Sequence, residues 1–113
     1  ILHLGESKRD CETDIIRDSM IQRFEFTYEL GWKCMFYWLR DQGENVLEMQ
    51  RPILQAAFRC ELIHDPKVWE EIKEQRDETS HTYNEAKAVS VAAFIRSHAL
   101  AEFDALRVKF NSL

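Results

Sequence analysis

Glycine and proline are scarce, three and two residues in a chain of 113. So few turn-formers argue against a sandwich or barrel of short strands. No run of about 18 apolar residues is present, and neither is a signal-peptide pattern. No membrane-spanning helix is therefore expected, and the reading points to the cytoplasm. Cysteine is limited to Cys11, Cys34 and Cys60, an odd number with no C-x-x-C pair. Reduced thiols are the natural state for such a set, and Cys34, inside an apolar run, is expected to be buried. There is no excess of basic residues either. The formal net charge is −5 and the charges are dispersed, whereas a protein that grips duplex DNA usually carries a basic stripe. A local pocket for RNA or a nucleotide remains compatible with that balance.

What is present is helical. Hydrophobic residues make up 45% of the chain, enough for a real core, and Glu, Lys, Arg, Leu and Ala are well represented. The expected architecture is an all-α, up-and-down antiparallel bundle of the four-helix type, forming one domain over residues 1–113. The chain begins with Ile1, not Met, so part of the first helix is expected to precede it, and residues 1–8 read as a helix tail. Thr13 or Asp14 is a candidate cap for a long helix reaching Gln42, with Gly43 as its stop. Along it Ile21, Phe24, Tyr28, Gly31, Met35 and Trp38 recur in three- and four-residue steps, one buried stripe. From Trp32 to Leu39 apolar residues surround nearly the whole helix, which needs cover on more than one side. A homodimer is the expected source of that cover. Gly31 costs roughly 1 kcal/mol against Ala in mid-helix, and the expected compensation is close approach of a neighbouring backbone.

After a loop of residues 44–51, Pro52 opens a short helix with Ile53, Ala56, Ala57, Cys60 and Ile63. Asp65-Pro66 reads as a cap and first turn, with Trp69 and Ile72 facing inward as far as about Arg76. The stretch from Asp77 to Thr82 is polar and turn-like, and Thr82 with Glu85 forms a capping-box pattern. The last helix carries Ala88, Ala92, Ile95, Ala99, Phe103, Leu106 and Phe110 on one face.

The sharpest local feature lies at the junction before that helix, where Arg76, His81 and Tyr83 form an Arg-x4-His-x-Tyr pattern. A helix start offers unpaired N–H groups and partial positive charge to an anion. A guanidinium grips phosphate through two parallel hydrogen bonds, and a histidine exchanges a proton near neutral pH. Together they describe a phosphate-handling site. A purely structural reading stands beside it: Arg76 neutralises its own helix end, His81 caps and Tyr83 packs on the bundle.

Two segments resemble a known family. Residues from Ile16 to Lys33, with Arg23-Phe24-Glu25-Phe26-Thr27-Tyr28-Glu29-Leu30-Gly31-Trp32-Lys33 at their heart, are similar to the signature helix of the nucleotidyltransferase substrate-binding proteins. The stretch Arg76-Asp77-Glu78-Thr79-Ser80-His81-Thr82-Tyr83 resembles that family's second signature. The family belongs to the HEPN superfamily of small helical bundles, and the resemblance covers nearly the whole chain. Relatives commonly have Ala at the place of Gly31, and Asn at that of Asp77. Asp77 sets a negative charge beside any bound phosphate, which weighs against a fully active site.

The resemblance implies a two-component system. A separate minimal nucleotidyltransferase supplies the transfer chemistry, and the helical subunit dimerises and binds substrate. Many such pairs act as toxin and antitoxin, the helical subunit being a metal-independent ribonuclease toxin. By carry-over Arg76 and His81 are the catalytic candidates and Tyr83 the substrate-binding residue or acceptor of AMP. Asp77, Ser80 and the face formed by Gln22, Glu25 and Glu29 are supporting candidates. No cofactor and no metal are implied. In keeping with the helical role, the chain has no Gly-Ser loop followed by an Asp-x-Asp pair, and no G-x-x-x-x-G-K-[ST] loop.

Two rival classes remain. Glu61 to His64 and Glu78 to His81 share the Glu-x-x-His spacing of di-iron bundles, and Glu25 and Glu29 add carboxylates one turn apart. Those pairs must point inward from mid-helix, whereas His64 precedes Asp65-Pro66 and His81 sits in a turn. Glu29 is instead expected to pair with Lys33, and Glu25 to order the site or an interface. The other rival is a dimeric scaffold without chemistry, docking a partner through an apolar ridge at Phe36, Tyr37 and Trp38. Arg76 and His81 converging on an open cleft would favour a ribonuclease. Burial of both against carboxylates would favour the scaffold.

Overall fold

Residues 8–113 are described by the structure, a computed structural model, apart from the side chains of Arg9 and Asp10. The helix tail expected over residues 1–8 therefore lies, except for Lys8, outside the described residues. Helix α1 (Lys8–Asp41) is already helical at the first described residue and spans 34 residues, about 50 Å at 1.5 Å per residue. It sets the long dimension of a molecule measuring 56 × 25 × 19 Å. Helices α2 (Gln50–Arg59), α3 (Pro66–Glu78), α4 (Glu85–Phe94) and α5 (Leu100–Asn111) fold back along it. A three-residue 3₁₀ turn, Thr79–His81, links α3 to α4, and a wide π-helical turn, Ile95–Ala99, joins α4 to α5. Among the described residues there is no strand, and no helix is long and apolar enough to cross a membrane.

The core follows the stripes read from the sequence. Ile21, Phe24, Tyr28, Met35 and Leu39 of α1 are buried against Ile53, Leu54, Ala56 and Ala57 of α2, Trp69 and Ile72 of α3, and Ala88, Val91, Ile95, Ala99 and Leu106 of the last helical pair. Phe103 stacks near Phe24 at 5.9 Å between ring centres and tilts against Trp69 at 5.8 Å. Gly43 has φ +88°, the left-handed conformation that ends α1 cheaply only at glycine. The loop beyond it is fastened to the end of α2: Arg59 donates to Glu44 at 2.7 Å and the Cys60 thiol donates to the same oxygen at 3.3 Å. Asp65 caps α3 as expected, accepting from the Val68 amide at 3.2 Å.

Several expectations are corrected. Thr13 and Asp14 do not cap α1, because the helix is established before them and Asp14 is a buried residue inside it. Asp14 and Arg17 continue the spacing of Ile21, Phe24 and Tyr28, so the core stripe carries a charged pair at its N-terminal end. The cap of α4 is Asn84, whose side chain accepts from the Lys87 amide at 3.3 Å, not Thr82. Thr82 belongs to the preceding turn and donates to the Thr79 carbonyl at 3.1 Å.

No backbone crowds Gly31: a Cβ there would meet only the Leu106 and Trp69 side chains, at 3.8 and 4.0 Å. Cys34 is exposed, since its side of the helix faces a groove instead of the core. The ridge expected at residues 36–38 is mostly covered, as Phe36 and Trp38 pack on the core. The exposed apolar residues of α1 are Ile15, Ile16, Phe26, Leu30 and Tyr37.

Candidate functional site

The last turn of α3 lies alongside the middle of α1, and the 3₁₀ turn closes the corner. Arg76 extends from that last turn toward two α1 residues one turn apart. Its Nη1 is 3.3 Å from Glu25 Oε2 and its Nε is 3.5 Å from Glu29 Oε1. The first contact is a hydrogen bond; the second is a charge contact without hydrogen-bond geometry, because Nε is shielded and has no hydrogen-bond partner. Arg76 Nη1 also donates to Thr79 Oγ1 at 3.0 Å. The Thr79 hydroxyl has Glu25 Oε2 at 2.9 Å and the Arg76 carbonyl at 2.6 Å as acceptors, and its single proton serves one at a time.

Thr79 is buried, whereas the Arg76 and Glu25 side chains keep 30% and 31% exposure. The Arg76 side chain is therefore held in place while remaining part exposed. Glu29 Oε2 also accepts from the Trp32 indole N–H at 3.2 Å, so one carboxylate bridges an arginine and an indole. That geometry replaces the expected pairing of Glu29 with Lys33. Beneath the cluster Tyr28 is fully buried and donates to Gln50 Oε1. Burial, with Glu29 and Asp77 adding to it and Arg76 opposing, pushes the Tyr28 phenol far above its ordinary value. Tyr28 is a permanent donor.

The other candidates are placed differently. His81 and Tyr83 are exposed and meet edge-on, with ring centres 6.1 Å apart. Tyr83 is 72% exposed, in the turn just before the Asn84 cap. Among the described residues no hydrogen bond, ion pair or ring contact joins Arg76 to His81 or Tyr83. Asp77 is turned away from Arg76 and takes an ion pair with Lys73 at 3.2 Å. Ser80 donates to the Asp77 carbonyl at 3.0 Å, fixing the turn. Gln22 is exposed on α1, one turn before Glu25.

The test set for the rival readings thus divides. Arg76 is paired with carboxylates, as a scaffold would have it, whereas His81 is open to solvent. The di-iron arrangement is not built: Glu61 sits in a left-handed turn with φ 65°, and His64 and His81 are exposed. Among the described residues no group of three or more His, Cys, Asp or Glu is placed to hold a metal ion.

Thr79 was not legible as a site residue. Its one sequence signal is its position three residues after Arg76, where a hydroxyl can bond back to the helix carbonyl. The buried Asp14–Arg17 pair, 3.0 Å apart, was signalled more clearly, by two charges on the line of the core stripe.

Comparison with known proteins agrees with the two motifs. Residues 3–112 match the family described as "Nucleotidyltransferase substrate binding protein like". A relative named "Probable ribonuclease HepT", from Haemophilus influenzae, is 36% identical, the alignment covering 76% of this chain and 64% of that protein. The chain thus spans less than two thirds of the length of that relative. A match over nearly all of the sequence, with both signature segments inside it, places this chain in the nucleotidyltransferase substrate-binding protein family.

Proposed function

We propose that this chain is the helical, substrate-binding or toxin-type subunit of a two-component nucleotidyltransferase system, and that it binds an RNA or nucleotide phosphate at Arg76, His81 and Tyr83. The observation that carries the reading is the state of Arg76. A guanidinium anchored by Glu25, Glu29 and Thr79 but still part exposed is oriented before a phosphate arrives, which lowers the ordering cost of binding. An incoming phosphate competes with the carboxylates for the same N–H groups. His81 and Tyr83, exposed at the start of α4, lie next along the chain.

The partner in this reading is a separate minimal nucleotidyltransferase, with no cofactor in the helical subunit. The Tyr83 hydroxyl, at 72% exposure, is accessible to an enzyme that would attach AMP to it. The assembly proposed is a homodimer in the cytoplasm. Ile16, Phe26 and Leu30, exposed on the outer side of α1, supply apolar surface for it, and a composite cleft would draw on both subunits.

The second reading, favoured by the open position of His81, is a metal-independent ribonuclease of a toxin–antitoxin pair. His81 would take the proton of a ribose 2′-hydroxyl as its oxygen attacks the adjacent phosphorus. Arg76 would stabilise the charge growing on the phosphoryl oxygens. The P–O5′ bond would break as O2′–P forms, and the leaving 5′ oxygen would take a proton back from the imidazolium or from water, giving a 2′,3′-cyclic phosphate and a 5′-hydroxyl end.

Purified protein incubated with total RNA in EDTA, beside an Arg76→Ala/His81→Ala double variant, separates the two. Cleavage by the first and none by the second is the ribonuclease result. Absence of cleavage by both, with phosphate-dependent binding of RNA lost only in the variant, is the substrate-binding result. No cleavage and no RNA binding by either protein would leave a scaffold without chemistry, and equal cleavage by both would put the activity elsewhere than at Arg76 and His81.

A further inference from the structure

At Trp32, which shares Glu29 with Arg76, lies a shallow concavity of about 460 Å³ lined by Trp32, Glu48, Met49, Gln50, Arg51 and Lys73. It is open on one side, so a ligand there would lie against a wall and not be enclosed. Its composition is specific. Trp32 packs partly on the core, which fixes its ring, and its N–H is committed to Glu29 Oε2 at 3.2 Å. The same carboxylate faces Arg76 Nε through Oε1 at 3.5 Å. A flat aromatic surface and the Arg76 guanidinium thus share one carboxylate as neighbour.

Gln50 adds direction. Its Oε1 accepts from the buried Tyr28 hydroxyl, which fixes the orientation of the amide and leaves its NH₂ group as a donor. Gln50 lines the concavity, and a base edge rich in acceptors would complement that donor. Arg51 and Lys73 bring positive charge to the rim. Glu48 offsets part of it, and Lys73 is shared with Asp77 at 3.2 Å, so the walls favour a base more than a second strongly held phosphate.

We propose that this concavity is a nucleobase subsite for single-stranded RNA, in which a base stacks on the Trp32 indole and offers acceptors to Gln50 while the adjoining phosphate meets Arg76. The subsite rests on the phosphate-binding reading given above. Stacking of a base on an aromatic side chain is tolerant of sequence and supplies a substantial part of single-strand affinity.

The test uses a short 2′-O-methyl RNA, which cannot be cleaved through the 2′-oxygen, in EDTA, followed by fluorescence anisotropy and by tryptophan emission. Trp32→Leu is expected to weaken binding on the order of tenfold. Trp32→Phe is expected to keep most of the affinity, since a ring remains, but to lose the quenching of tryptophan emission that RNA produces in the wild type. Quenching that persists unchanged in Trp32→Phe overturns the subsite even if the leucine variant folds poorly. Arg76→Ala separates the two levels of the proposal. If it loses affinity while both Trp32 variants behave as wild type, the phosphate site stands and the base subsite falls. If the wild type binds no RNA at all, both fall together.

Discussion

Arg17 on α1 and Arg76 on α3 are both surrounded by carboxylates, at similar distances. Arg17 lies 3.0 Å from Asp14, 3.8 Å from Asp18 and 4.0 Å from Glu85. Arg76 lies 3.3 Å from Glu25 and 3.5 Å from Glu29. Their accessibility differs threefold: the Arg17 side chain is 10% exposed and that of Arg76 30%. Arg17 sits on the line of the core stripe and binds α1 to the start of α4. Arg76 sits at the corner where α3 ends in the 3₁₀ turn against the middle of α1, with Trp32 and an open concavity nearby. Similar ion-pair chemistry is enclosed around Arg17 and left part open around Arg76, so under the proposed function the first serves cohesion and the second recognition.

Substitution of each arginine should separate those roles. Arg76→Ala is expected to reduce RNA cleavage on the order of a hundredfold or more, or, where there is no cleavage, to weaken RNA binding on the order of tenfold. Its melting temperature should change little, because Glu25 and Glu29 can be solvated once the guanidinium is gone. Arg17→Ala is expected to cost about 3 kcal/mol of stability, since removing one member of a buried pair strands the other charge. Denaturant unfolding of the two variants side by side measures the contrast. Equal destabilisation would break it. Replacing both buried charges, as Asp14→Leu with Arg17→Met, is expected to recover most of the loss, because apolar residues of similar volume substitute well for a buried pair.

The sequence made most of the architecture readable. The stripe through Phe24, Tyr28 and Met35, the stop at Gly43 and the Asp65-Pro66 start all stand, because each depends on contacts a few residues apart. The errors arose where local chemistry offered two equivalent choices. Thr82 and Asn84 are both good cap residues, and with the Thr82 hydroxyl bonded to the Thr79 carbonyl it is Asn84 that caps α4. Asp14 has the residue type of a cap but the register of the core, and register decided. The same limit applies to the site. Arg76, His81 and Tyr83 were legible as a motif. That Thr79 meets Arg76 follows from a three-residue spacing, but that Glu25, 51 residues away, grips the same guanidinium depends on how α3 lies across α1, which no local spacing encodes.

Gly31 offers a way to make that contrast cleaner. A methyl group there meets only side chains at ordinary contact distance, so Gly31→Ala is expected to raise stability by roughly 0.5–1 kcal/mol through helix propensity. In that background Arg17→Ala should remain folded well enough for its RNA binding to be assayed. Binding within a few-fold of the parent would confirm that Arg17 acts on cohesion alone. Within the site, Glu25→Gln keeps an acceptor for Thr79 but removes a charge that competes with phosphate. RNA affinity is expected to rise about threefold, the scale of a partly exposed ion pair. A fall would mean that Glu25 positions Arg76 more than it masks it.

Glu102 supplies the smallest effect and a control for both arginines, being a partly shielded carboxylate with no guanidinium beside it. Burial pushes its carboxyl above the ordinary range, Asp65 adds to the push and His64 opposes it. The folded state thus holds the proton more tightly than the unfolded chain does. This contribution to stability is complete below the ordinary glutamate value and is lost as pH rises through the raised folded value. Glu102→Gln removes the titration, so the stability of the variant relative to wild type should grow across that interval and then level off. Unfolding midpoints measured at a series of pH values read the difference directly. A wild type that instead gains on the variant as pH rises would mean that the Glu102 anion has a partner in the folded protein, as Glu25 and Asp14 do.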